Sequence, residues 1–177
     1  MAAKATIYKA LLNIANMDSH YYAEHNLTMA KHPSETDFRL MVRLVAFILN
    51  ADEALEFCKG ISQEDEPDLW KKSLGGEIEL WIDLGQPDEK RIKKACGRSE
   101  KVIIYTYQEG MAVSWWKQIQ TSLTRFSNLQ VIHLDIDGDI EPLTKRAMSL
   151  QANISDNELT LMDDEHSVVI REKRWMG

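Results

Sequence analysis

Pro67–Lys94 reads PDLWKKSLGGEIELWIDLGQPDEKRIKK, and the fold turns on how it is read. Gly75 and Gly76 form a turn, and Glu77 to Leu84 follows as a strand. Ile78, Leu80, Ile82 and Leu84 share one face of it, while Glu77, Glu79, Trp81 and Asp83 share the other. Pro87 stops the strand, and Asp88 to Ala95 reads as a helix with its acids first and its bases later. The segment thus sets Asp68 and Asp83 on either side of the turn, and Asp83 at a strand end. Two acids on neighbouring strands can chelate a hard cation through oxygen, and a strand end holds such an acid rigidly.

Working outward, residues 6–17 and 21–29 are rich in β-branched and aromatic residues around an Asp18-Ser19-His20 turn, which predicts an antiparallel hairpin. Ser34 reads as the N-cap of a helix from Glu35 to Leu49, whose apolar residues recur at helical spacing. Asp52 to Lys59 reads as a second short helix, ended by Gly60. Lys101–Tyr107 is a nearly continuous apolar strand, as in the middle of a sheet, and Val131–Ile136 is another. Met111–Leu123 between them is an amphipathic helix. A short helix is expected around Pro142 to Ala147. Residues 149–154, 158–162 and 167–171, separated by turn residues, form a β-meander. One α+β (α/β-like) domain over residues 1–177 is the expectation.

Composition limits what such a domain can do. Hydrophobic residues make up 44% and charged residues 28%, so the chain can bury a core. No apolar run reaches the roughly 20 residues a bilayer demands, so no membrane partner is expected. The first residues carry Lys4 and Lys9 and no cleavage signal, which argues against secretion. Cys58 and Cys96 lack metal-ligand spacing and fit reduced thiols in a cytoplasmic protein. A net charge of −7 excludes loose, purely electrostatic nucleic-acid binding. Any such site must be a local patch, or be assisted by a cation. Residues Asp88 to Lys101 supply that patch, with Lys90, Arg91, Lys93, Lys94, Arg98 and Lys101 outnumbering three acids.

Other constellations have simpler readings. His20, Glu24 and His25 approximate an inverted zinc motif, but the spacing is one residue too long, and the two histidines face opposite ways on a strand. Asp135, Asp137 and Asp139 resemble half a calcium loop whose glycine is misplaced and whose closing glutamate is Arg146. Ser114 and Lys117, with Ser155-Asp156-Asn157, match two of the three signatures of a serine penicillin-recognising enzyme, but Lys-Thr-Gly is absent. Trp115 and Trp116 read as core indoles at helical spacing.

The Pro67–Lys94 acids resemble the PD-(D/E)xK nuclease core, in which an Asp on one strand meets an acid-x-lysine triplet on the next. There the acids hold Mg²⁺, which activates water, and the lysine neutralises charge on the phosphoryl oxygens. The literal triplet Asp88-Glu89-Lys90 opens a helix, where residues two apart do not face each other. Strand phasing favours Asp83 as the second acid, with Lys90 or Lys94 reaching in from the helix, because Gly85 stands at the lysine position.

Four runs, HPSETDFRLMVRLVAFILNADEALEFCKGIS, DEPDLW, LWIDLGQPDEKRIKKACGRS and SWW, resemble the YaeQ family of small bacterial proteins over almost the whole length. That resemblance implies a restriction-endonuclease-like fold, with a mixed β-sheet flanked by helices. It implies a cleft of Glu35, Arg39, Asp68, Asp83, Gln86 and Lys90. In that reading Glu35, Asp68 and Asp83 hold Mg²⁺, Gln86 and Lys90 contact the scissile phosphate, and Arg39, Lys90, Arg91 and Lys94 contact nucleic acid. Family members are linked to transcription elongation, which makes the transcription machinery an expected partner. Two functions follow as expectations: Mg²⁺-dependent phosphodiester cleavage, or a non-catalytic nucleic-acid- or transcription-associated module that keeps the nuclease fold.

Overall fold

The computed structural model describes residues 4–59 and 65–177. In chain order its elements are β1 (Thr6–Asn16), β2 (Tyr21–Lys31), α1 (Asp37–Leu49), β3 (Leu55–Phe57), β4 (Leu69–Lys72), β5 (Ile78–Leu84), α2 (Glu89–Arg98), β6 (Ser99–Thr106), α3 (Glu109–Leu123), β7 (Leu129–Asp137), β8 (Ala147–Ser155), β9 (Glu158–Met162) and β10 (Ser167–Met176). The mixed α+β class expected from the sequence is what forms. The residues group into two compact units. One holds the chain through Ile48 with Asp135–Glu172, and the other holds Leu49–Leu134 with Lys173–Gly177.

In the first unit β1 and β2 make the expected hairpin, with Thr6 opposite Lys31 and Asn16 opposite Tyr21. The Asn16 carboxamide oxygen accepts from the backbone N–H groups of Asp18 and Ser19, which closes the turn. β8 lies parallel to β1, and β9 and β10 complete the expected meander. Asp156 and Asn157, both at positive φ, make the two-residue link between β8 and β9. The Asp18 carboxylate accepts from both of their N–H groups, so the two turns brace each other.

α1 begins at Asp37, two residues later than expected. Ser34 spends its hydroxyl on His32 Nδ1, and Thr36 caps the helix by accepting from Arg39 N–H. Leu40 through Ile48 are buried, Arg43 among them.

The second unit orders its strands β7-β6-β5-β4-β3. β5, β6 and β7 run parallel, joined by the crossover helices α2 and α3, and β4 and β3 add antiparallel strands. One sheet face carries Trp81, Val102, Ile104, Leu129 and Val131 into a core closed by Ile92 and Ala95 of α2 and Leu123 of α3. Trp115 and Trp116 pack on that core, as their spacing predicted. Asp83 shares the face of Trp81, two residues away on the same strand, which aims its carboxylate at α2.

One expected helix is not there, and another is cut to a single turn. Residues 52–59 turn at Asp52, whose carboxylate and carbonyl accept from Ala54 and Leu55 N–H, and then pair as β3 with β4. Strand pairing and the burial of Leu55 win over a short helix that has little face to bury. The expected stop at Gly60 lies outside the described residues. Around Pro142 only one turn of 3₁₀-helix forms, Glu141–Leu143, before β8 begins at Ala147. No helix among the described residues is long and apolar enough to cross a membrane.

Candidate functional site

Asp68 and Asp83 lie at adjoining ends of β4 and β5. Leu69 pairs with Ile82, and Asp68 N–H donates to the Ile82 carbonyl at 3.0 Å. Both acids are buried, at 5% and 3% exposure. A buried carboxylate must be met by donors or by positive charge. For Asp68 one donor is the backbone of the neighbouring strand: Leu84 N–H reaches its Oδ2 at 2.9 Å.

For Asp83 the donors are Trp81 and Arg91. The Trp81 indole N–H donates to Oδ2 at 3.0 Å. Arg91 grips the carboxylate as a fork, Nε to Oδ2 and Nη2 to Oδ1, both at 2.9 Å. Local structure explains the aim of that fork. Asp88 caps α2 by accepting from Arg91 N–H at 2.8 Å, which fixes Arg91 one turn into the helix beside the end of β5. Burial works against the Arg91 charge, but the hydrogen bonds and charge of Asp83, with Asp68 and Asp88, outweigh it and raise its pKa. The guanidinium is therefore a permanent cation bonded to both oxygens of Asp83.

Mg²⁺ needs free oxygen donors in near-octahedral array, commonly one or two carboxylates plus water. Here both Asp83 oxygens are engaged by a cation of the chain itself. No group of three or more histidine, cysteine, aspartate or glutamate side chains placed to hold a metal occurs among the described residues. The donor set as built fits a guanidinium, not a divalent ion.

Gly85 has φ +97°, a backbone angle that L side chains rarely adopt. The chain leaves the strand there, so a lysine at the position of the nuclease lysine would carry backbone strain. No atom lies within 4 Å of a Cβ built on Gly85, so Gly85→Ala isolates the backbone cost. We expect it to lower stability by about 1–2 kcal/mol. A urea midpoint matching the native protein would contradict that.

Lys90, Arg91 and Lys94 line a cleft of about 320 Å³ together with Trp81 and Asp88. Lys90 is exposed. Gln86 is half-buried, and its Nε2 has no hydrogen-bond partner among the described residues. Arg91, Lys94 and Arg98 also hold the segment before β4. Arg91 Nη2 donates to the Glu66 carbonyl at 2.8 Å, Lys94 Nζ lies 2.7 Å from Asp65 Oδ1, and Arg98 Nη1 donates to the Asp65 carbonyl at 3.0 Å.

Glu35 and Arg39 belong to the first unit. Glu35 is buried, with Arg43 Nη2 at 2.7 Å from Oε1, Arg43 Nε at 2.9 Å from Oε2 and Arg39 Nη1 at 2.8 Å from Oε2. Arg43 also donates to the Ala30 carbonyl, tying α1 to the end of β2. Glu35, expected as a metal ligand, and Arg39, expected at phosphate, are thus bonded to each other.

The partners of the acids are what the sequence reading missed. A charged residue inside the apolar run MVRLVAF was the available sign for Arg43. Both thiols are passive. Burial, followed by Glu66 and Asp68, pushes Cys58 up to about 12, and burial pushes Cys96 to about 11. Neither is expected to react with iodoacetamide at neutral pH at the rate of free cysteine. Labelling of the folded protein at that rate would contradict this.

The YaeQ protein family profile matches residues 1–172. The YaeQ protein of Salmonella typhi is 45% identical over 178 residues, spanning 99% of this chain and 98% of its own. That of Escherichia coli K12 is 42% identical over 177 residues, with the same shares. The crystal structure of YaeQ from Xanthomonas axonopodis pv. citri superposes with a TM-score of 0.92 at 44% identity, covering 98% of this chain and 99% of that one. The Pseudomonas syringae YaeQ structure gives 0.90 at 29% identity, covering 98% and 97%. With whole-length matches in both sequence and structure, the chain belongs to the YaeQ family.

Proposed function

We propose that this chain is a nucleic-acid-binding module on a restriction-endonuclease-like mixed sheet, one that engages phosphate through the basic face of α2 without metal-dependent turnover. The Arg91 fork on Asp83 carries this reading. In a metal nuclease the acid at this strand end would present free oxygens to the ion. Here it instead anchors a cation that helps line the cleft. Lys90 and Lys94 supply the point charges that phosphate requires on an otherwise acidic protein. A place in transcription, on RNA or DNA, belongs to the same proposal.

A second reading, Mg²⁺-dependent cleavage at Asp68 and Asp83, draws on one observation: the two acids end adjacent paired strands, with Lys90 in the neighbouring cleft. It requires Arg91 to leave its carboxylate first.

Fluorescence anisotropy with labelled single- and double-stranded DNA and RNA separates the two. On our reading, retention is the same in EDTA and in Mg²⁺. Lys90→Ala/Lys94→Ala is expected to weaken it about tenfold at low salt and to cut the salt slope by about two. Metal-dependent products that disappear in Asp83→Asn would establish the cleavage reading instead. No retention of any probe at low salt would reject both.

A further inference from the structure

We propose that Asp65 is a built-in competitor for the α2 cleft, a displaceable internal anion occupying the place of a nucleic-acid phosphate; this rests on the binding reading above. Arg91, Lys94 and Arg98 are spaced three and four residues apart, which aligns them along one face of the helix. Two consecutive residues of the chain lie along that stripe. The Asp65 carboxylate meets Lys94, the Asp65 carbonyl meets Arg98 and the Glu66 carbonyl meets Arg91. The stripe therefore faces one negative charge and a row of acceptor oxygens, the chemistry that a phosphodiester strand presents.

The two ends of this contact differ in strength. Arg91 is fixed by the buried Asp83, whereas the Asp65 and Lys94 side chains are 79% and 53% exposed. An exposed pair is screened by water and salt, so an arriving phosphate can take Lys94 from Asp65 at small cost. The hydrogen bond from Lys94, then its charge, keeps the Asp65 carboxyl below its ordinary range. Asp65 is an anion at neutral pH, as any exposed aspartate is, and so competes there. The consequence is a cleft whose affinity is set lower than its lysines alone would give. At Lys94, binding exchanges one anion for another.

The test uses the full chain and a short fluorescein-labelled oligothymidylate at fixed low salt. Asp65→Asn is expected to tighten binding about two- to fivefold, the range that an exposed ion pair spans. The gain should vanish in an Asp65→Asn/Lys94→Ala double variant. Asp164→Asn removes the same charge from an exposed position of the first unit, between β9 and β10, and controls for net charge. It should change affinity by less than half as much. Equal gains from Asp65→Asn and Asp164→Asn would overturn the inference. So would an unchanged or weakened Asp65→Asn, if Lys94→Ala still lowers affinity, and in that case the binding reading survives. If neither Lys90→Ala nor Lys94→Ala alters affinity, the binding reading falls and takes the inference with it.

Discussion

Arg91→Met will destabilise the second unit by about 2–4 kcal/mol, because it strips the charge partner from a buried carboxylate. The Asp83 side chain is 4% exposed and that of Arg91 28%. Water reaches the guanidinium in part, which puts the loss below the full range for a wholly buried pair. Methionine keeps the length and packing of the arginine stem, so the change reports the lost fork more than a lost volume. Arg91→Lys keeps the charge and loses the two-point geometry, and should recover less than half of the deficit. Asp83→Asn/Arg91→Met removes both charges and should be more stable than Arg91→Met alone. Urea unfolding of the four proteins, read as midpoints at constant slope, checks this ordering. An Arg91→Met midpoint equal to the native one would show that the pair contributes nothing to the fold.

Glu35→Ala will cost about 3–5 kcal/mol, since Arg43 would be left buried without its carboxylate. Arg43 is wholly buried, and Glu35 accepts from it through both oxygens. Arg39 lies nearer the surface and can rehydrate when released. Adding Arg43→Met to Glu35→Ala should recover about 2–3 kcal/mol, as expected for residues in one ion-pair network. The double variant needs no charge partner for methionine. The same variants decide whether Glu35 has any part beyond the fold. A large fall in nucleic-acid retention by Glu35→Ala, with stability unchanged, would contradict the structural role given to it here.

The contrast between what the sequence revealed and what it concealed follows from how local each determinant is. β5 was legible because its apolar residues alternate between a glycine turn and Pro87, and the same alternation put Trp81 and Asp83 on one face. α2 was legible because Asp88 caps it and bases follow acids along it. β3 was not, since Leu55–Phe57 is too short to show a period, and it is a strand only because β4 pairs with it. The start of α1 depended on which of two hydroxyls, Ser34 or Thr36, found the helix, and His32 decided that by taking Ser34.

The acids of the site were readable and their partners were not. Lys90 and Arg91 are neighbours, and nothing in their spelling says which one turns inward. The cap at Asp88 settles it by fixing where Arg91 sits relative to the end of β5. The missing lysine was visible as Gly85, but its cause, a positive φ where the chain leaves the strand, belongs to the backbone.

On the reading proposed above, the Asp83 carboxylate belongs to Arg91 and not to a divalent ion. Calorimetric titration of Mn²⁺ into the native protein and into Asp83→Asn tests it most directly. The expected result is no saturable uptake in the micromolar range by either protein. One equivalent taken up by the native chain in that range, and lost in Asp83→Asn, would contradict it.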